Sequence, residues 1–137
     1  MTSSNNAFNE VWIGWVIVIS YSCANNKIIE YSEFVKVDIR LGTIIKAFEY
    51  DKLNKPSIIL EIDFGKDIGI KKSSAQLRKN YSSKDLLNKQ IIAVVNFEPK
   101  QIGKIKSEVL VLGLPDENNE PLLVSPDKRL INGIKLY

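Results

Sequence analysis

Lys100, Lys104 and Lys106 fall within one seven-residue stretch that follows Asn96 and Phe97 and leads into Ser107. Ser73, Ser74, Gln76 and Arg78 make a second polar group some twenty residues earlier. Together they suit a phosphate-bearing polymer. Ammonium and guanidinium groups pair with phosphate, the Ser, Asn and Gln groups hydrogen-bond base edges or ribose hydroxyls, and an aromatic face stacks on a base. Each also has a plainer reading. Lys71, Lys72, Arg78 and Lys79 can simply solvate a loop, and Phe97 ends an apolar run and is equally a core residue. Asn96 follows Ile91–Val95, where a buried amide would need partners and would orient the loop. Ser107 and Glu108 can fix a turn, and Asp38 with Arg40, two residues apart on one strand face, reads as a structural salt link.

Bond-making chemistry is poorly supplied. The chain has no histidine, which removes the usual general base and the commonest metal ligand. Its one cysteine, Cys23, excludes an internal disulfide, a multi-cysteine zinc site and a Cys–His nucleophilic pair. A Ser–Lys or paired-carboxylate mechanism stays chemically open. The expectation is a binding protein with no enzymatic activity, cofactor or metal.

The elements that must position these groups fit one small domain of 137 residues, with 45% hydrophobic and 26% charged residues. Glu10 is the only charged residue before Lys27, so residues 27–137 hold all 19 cations and 15 of the 16 acids, a net of +4. That is mildly basic, compatible with a phosphate partner without demanding one.

Residues 1–27 differ. The start is polar, and Val11–Asn26 carries no charge over sixteen residues. The apolar part ends at Ile19, short of the roughly 20 residues that cross a bilayer, and no basic n-region precedes it. A lipid anchor at Cys23 fits poorly, because Ser20 and Tyr21 stand where an aliphatic and a small residue belong. An extra strand packed on the domain, with both faces apolar, is a further alternative. The favoured reading is an N-terminal extension of unknown role over 1–27, membrane association being the weaker one, and a folded domain over 28–137.

From Phe34 the periodicity is that of strands. Val35, Val37, Ile39, Leu41, Ile45 and Ala47 line one face, opposite Lys36, Asp38, Arg40 and Lys46, with Gly42 marking a bulge or bend. Asn54 and Pro56 punctuate a turn before Ile58, Leu60, Ile62 and Phe64, and Ile68–Ile70 is a short third strand. The one expected helix is Lys84–Asn88, capped by Ser83. Ile91–Val95 and Val109–Leu112 read as central strands, with Leu122–Val124 and Ile131–Leu136 closing the chain. Five main strands with a helix between the third and fourth predict an all-β, five-stranded OB-fold barrel with short terminal additions.

Four stretches then carry a resemblance: FVKVDIRLG (Phe34–Gly42), IGIKKSSAQL (Ile68–Leu77), IAVVNFEP (Ile92–Pro99) running on to Gly103, and SEVLVLG (Ser107–Gly113), with Asn132–Gly133 near the end. In this order and spacing, over about 100 residues, they resemble the tRNA-binding-domain family. IGIKKSSAQL and VVNFEPKQIG…KSEVLVLG are more similar to its CsaA-type members than to the domains appended to methionyl-tRNA synthetases. Residues 1–27 have no counterpart there, and Lys100–Lys106 departs from the synthetase-appended form. The resemblance implies a non-catalytic OB-fold that binds tRNA by shape and phosphate contacts. It places the Asn96–Phe97 and Ser74–Gln76 segments near one another on the binding face. It also implies a cytoplasmic homodimer joined around Ile29–Phe34 and Ile131–Tyr137. The alternative it carries is an export-related chaperone, binding unfolded peptides or export components in a groove at the dimer interface.

Overall fold

In chain order the elements are β1 (Phe8–Ile13), β2 (Val16–Tyr21), α1 (Tyr31–Phe34), β3 (Ile39–Tyr50), β4 (Ser57–Asp63), β5 (Ile70–Ala75) and α2 (Ser83–Leu86). They continue with β6 (Gln90–Val94), β7 (Lys100–Ile102), β8 (Ile105–Ser107), β9 (Leu110–Val111), β10 (Gly113–Pro115) and β11 (Pro121–Leu123). The computed structural model describes the backbone of residues 8–13 and 16–21 and the whole of residues 27–137. Cys23 lies outside the described residues. β1 and β2, which take in the apolar run before it, pair antiparallel from Phe8↔Tyr21 to Ile13↔Val16. β2 runs beside β10.

Five antiparallel strands in the order β5-β4-β3-β6-β9 form a nearly closed barrel, the all-β OB-type architecture expected. β3 is long enough to serve both halves of it. Its first half pairs with β6, from Ile39↔Val94 to Thr43↔Gln90, and its second half pairs with β4, from Thr43↔Asp63 to Tyr50↔Ser57. The register shifts between Ile44 and Lys46, so the bulge sits at Ile45 and not at Gly42. This corrects the single alternating face. Ile44 packs in the core and Ile45 is the exposed extra residue, after which the side-chain phase inverts and Ala47 packs against the core. Gly42 instead leaves room for the core, since a Cβ there would meet Ile62 Cγ2 at 2.6 Å and the Phe64 ring at 2.8 Å.

Ile44, Ile58, Leu60, Ile62, Phe64, Leu77, Ile91 and Val109 fill the barrel, with Leu86 of α2 closing one end. Ile39, Val94 and Leu110 form a second, smaller cluster outside it. The strand expected over Ile131–Leu136 is a bridged segment and not a ladder. It takes the edge of β3 that β4 leaves free, through Gly133 N to Leu41 O (2.7 Å), Leu41 N to Ile134 O (3.0 Å) and Leu136 N to Ile39 O (2.8 Å). The third strand starts two residues later than expected and runs to Ala75.

The helix also starts one residue early. Ser82, with extended backbone, accepts a hydrogen bond from Asp85 N (3.2 Å), and Asp85 accepts one from Ser82 N (3.1 Å). Ser83 has no acid three residues on, so it cannot build this reciprocal box. The bond from the Ser82 backbone N–H, then that with its hydroxyl, holds the Asp85 carboxyl below its ordinary range. Replacing Ser82 by Ala is expected to cost about 1 kcal/mol. Urea unfolding checks this as a lowered midpoint at unchanged slope. A second helical turn, α1, has no counterpart in the sequence pattern. Four residues capped by Glu30 and Glu33 give no helical periodicity to read.

Candidate nucleic-acid interface

Lys100–Ser107 folds as a hairpin, β7 pairing with β8 from Lys100↔Ser107 to Ile102↔Ile105. Gly103 takes the first place of the two-residue turn with φ +60°, the conformation for which such turns select glycine. Residues facing one another across the hairpin share a face. Gln101 and Lys106 therefore lie on one side, Lys100 and Ser107 on the other, and Lys104 is at the tip. Among the three lysines expected to act together, only Lys100 faces the barrel's loop side.

There it meets the β3–β4 loop. Leu53 reaches Gly103 so closely that a Cβ on the glycine would stand 2.5 Å from Leu53 Cδ2. Between loop and hairpin runs a groove of about 450 Å³, lined by Lys52, Asn54, Lys55, Gln76, Lys100 and Gln101 among others. Three lysines line it with the amide residues Asn54 and Gln76, and among the described residues no carboxylate does. Neither Lys52 nor Lys55 is in an ion pair among the described residues. Of the expected site residues, this groove gathers Gln76 and Lys100. Lys52, Asn54, Lys55 and Gln101 were missed, although KLNKP, two lysines bracketing a turn, was a usable signal.

The other expected residues are placed differently. Ser73, Ser74 and Ser107 are fully buried at the seam where β5 approaches the chain between β8 and β9. Ser73 Oγ donates to Val109 O (3.2 Å), and Ser107 Oγ accepts from Ser74 N (3.0 Å). Glu108 adds Lys72 N to Oε1 (3.1 Å) and its own N–H to Lys72 O (2.8 Å). These groups close the barrel where no regular ladder does, and buried in this way they present no surface to a ligand. The Ser74 hydroxyl has no hydrogen-bond partner among the described residues.

Arg78 is exposed but engaged, paired with Asp51 and with Glu49 (3.2 Å), so two carboxylates offset its charge while it braces the foot of the β3–β4 loop. Asn96 orients its loop: Oδ1 accepts from Asp38 N (3.0 Å) and Nδ2 donates to Lys36 O (2.7 Å). Phe97 is 43% exposed, which removes the core reading. The Asp38–Arg40 link forms at 2.6 Å, and Arg40 also donates to Gly133 O (2.9 Å). No group of His, Cys, Asp or Glu among the described residues could hold a metal ion.

A barrel carrying such a groove invites comparison with known proteins. The family model described as "Putative tRNA binding domain" matches residues 39–135. The chain belongs to the tRNA-binding domain family. Among solved members, the chaperone CsaA from Bacillus anthracis superposes with a TM-score of 0.75 at 44% identity, covering 81% of this chain and all of that one. The CsaA chaperone protein from Picrophilus torridus gives 0.74 at 45%, covering 80% and all of that chain. The methionine–tRNA ligase of Pyrococcus horikoshii is 34% identical over 108 residues, 79% of this chain but 14% of the ligase. The chain thus spans about a seventh of the ligases it matches, and shares with this family the barrel that positions the groove.

Proposed function

We propose that this chain is a non-catalytic tRNA-binding protein, and that the groove between the β3–β4 loop and the β7–β8 hairpin tracks the RNA backbone. The observation that carries the reading is a loop-flanked groove lined by Lys52, Lys55 and Lys100 and, among the described residues, by no carboxylate. Loops on one side of an OB barrel are where single strands and RNA loops fit, since the bases can stack while ammonium groups follow the phosphates. Phe97, just before the hairpin, is the stacking candidate. Lys104 and Lys106, at the tip and on the far hairpin face, would reach phosphates beyond the groove. tRNA as the ligand implies work in the cytoplasm, and no helix among the described residues is long and apolar enough to cross a membrane. Titration of total tRNA across a salt series tests the reading. Affinity equal to that for an equally charged polyanion would overturn it.

A second reading has its own observation. Leu41, Ile92, Val124, Leu130, Ile134 and Leu136 line a mainly apolar groove of about 560 Å³, and Tyr137 in that lining and Ile131 next to Leu130 are each more than half exposed. We assign this face to a homodimer contact, since an unpartnered apolar strip on so small a barrel favours self-association. Unfolded peptides, and export components through them, are the alternative occupants of the same seam. Light scattering on the full chain should give twice the 15.5 kDa monomer mass. A monomer mass at micromolar concentration refutes the contact.

A further inference from the structure

We propose that a cleft formed by Lys89 and the Ser125–Arg129 segment is a second phosphate-binding site, and that it holds phosphodiesters of the same RNA. The attribution to RNA rests on the reading above; the site as an oxyanion receptor does not. The cleft has a volume of about 240 Å³. It lies at the start of β6, whereas the β7–β8 hairpin follows that strand's other end.

The cleft is built by two anchors. Arg129 donates from Nη1 to Asn88 O (2.8 Å) and from Nη2 to Asn88 Oδ1 (3.2 Å). Gln90 clasps the next residue in both directions, Leu130 N to Oε1 (2.9 Å) and Nε2 to Leu130 O (2.7 Å). The guanidinium is therefore held in place with further N–H groups to offer. Such a preset fork matches phosphate oxygens, and flanking ammonium groups add charge at little geometric cost. Among the described residues, Lys89, Lys128 and Arg129 form no ion pair and Asp127 is the only acid lining the cleft. Three cations against one carboxylate leave a surplus of two positive charges, enough for two phosphodiesters. The two anchors use Arg129, Asn88 and Gln90 and neither lysine side chain, so Lys89 and Lys128 can be truncated without disturbing them.

The test follows backbone amides of the full chain by NMR at constant ionic strength. Inorganic phosphate should shift the amides of Ser125, Asp127, Lys128 and Arg129 saturably, and K89A/K128A should abolish the saturation at an unchanged thermal midpoint. The same double variant should lower the salt slope of tRNA binding by roughly 1 per lost contact. Shifts that stay linear in phosphate, or saturate equally in the double variant, overturn the site even if tRNA binds. Saturation by phosphate with no tRNA binding by the wild type keeps the site and rejects the RNA reading. Saturation with an unchanged tRNA slope rejects RNA as the source and assigns the cleft to a free phosphate compound.

Discussion

Replacing Gly133 by Ala is expected to destabilise the domain by about 2–4 kcal/mol, combining backbone strain with overpacking against a group that cannot move aside. Gly133 has φ +92°, and a Cβ there would stand 2.5 Å from the carbonyl oxygen of Phe64, a backbone atom. Its N–H and C=O are both used, to Leu41 O and from Arg40. The segment it would displace is the one that covers the free edge of β3 and carries Ile134, Leu136 and Tyr137. The variant should therefore also lose the dimer mass that light scattering is expected to give for the wild type. Gly69 is the control, with φ +84° and open space around its Cβ position, so Gly69→Ala carries strain alone, about 1–2 kcal/mol. Guanidinium unfolding of the two variants separates the contributions. Equal losses would mean that the close approach to Phe64 costs nothing, and the role given to Gly133 would fall.

Removing the three groove lysines together should have the largest effect on binding. Each phosphate neutralised by a lysine releases condensed counterions, so log affinity falls with log salt by roughly 0.7–0.9 per contact. Lys52→Ala, Lys55→Ala and Lys100→Ala combined should flatten that slope by about 2–3 and weaken tRNA on the order of 10²-fold at 0.1 M salt. All tRNAs should be affected alike, since phosphate contacts carry no sequence information. Lys104→Ala and Lys106→Ala, tested singly, report whether RNA extends past the hairpin tip to its far face. Phe97→Ala should leave the slope unchanged while costing about 1–3 kcal/mol for each base it stacks. That variant is compared at a thermal transition equal to the wild type's. A triple variant with the wild-type slope would exclude the groove as the RNA track. Displacement of weakly held RNA by an unfolded polypeptide would favour the chaperone alternative.

Strand alternation, the Asn54–Pro56 turn and the apolar runs after Gln90 were enough, from residues alone, to specify a five-stranded barrel with a helix before β6. Local patterns encode local geometry, and a period of two survives in any half-buried strand. The Asp38–Arg40 link and the orienting role of Asn96 were legible for the same reason, each resting on a near neighbour or a strand end. The phase of β3 beyond Ile44 was not, because a bulge inserts one residue without altering composition. The site was harder still. Ser73, Ser74 and Ser107 have the right chemistry for RNA, but closure of the barrel buries them, and Arg78 meets Glu49 and Asp51 only after β3 and β5 are in place. Lys52, Lys55, Gln76 and Lys100 come from three segments up to 48 positions apart and share a groove because the β3–β4 loop closes on the β7–β8 hairpin. Residue type determined which groups could hold a phosphate. Which of them share an open groove was decided by long-range strand pairing, whose register no single segment carries.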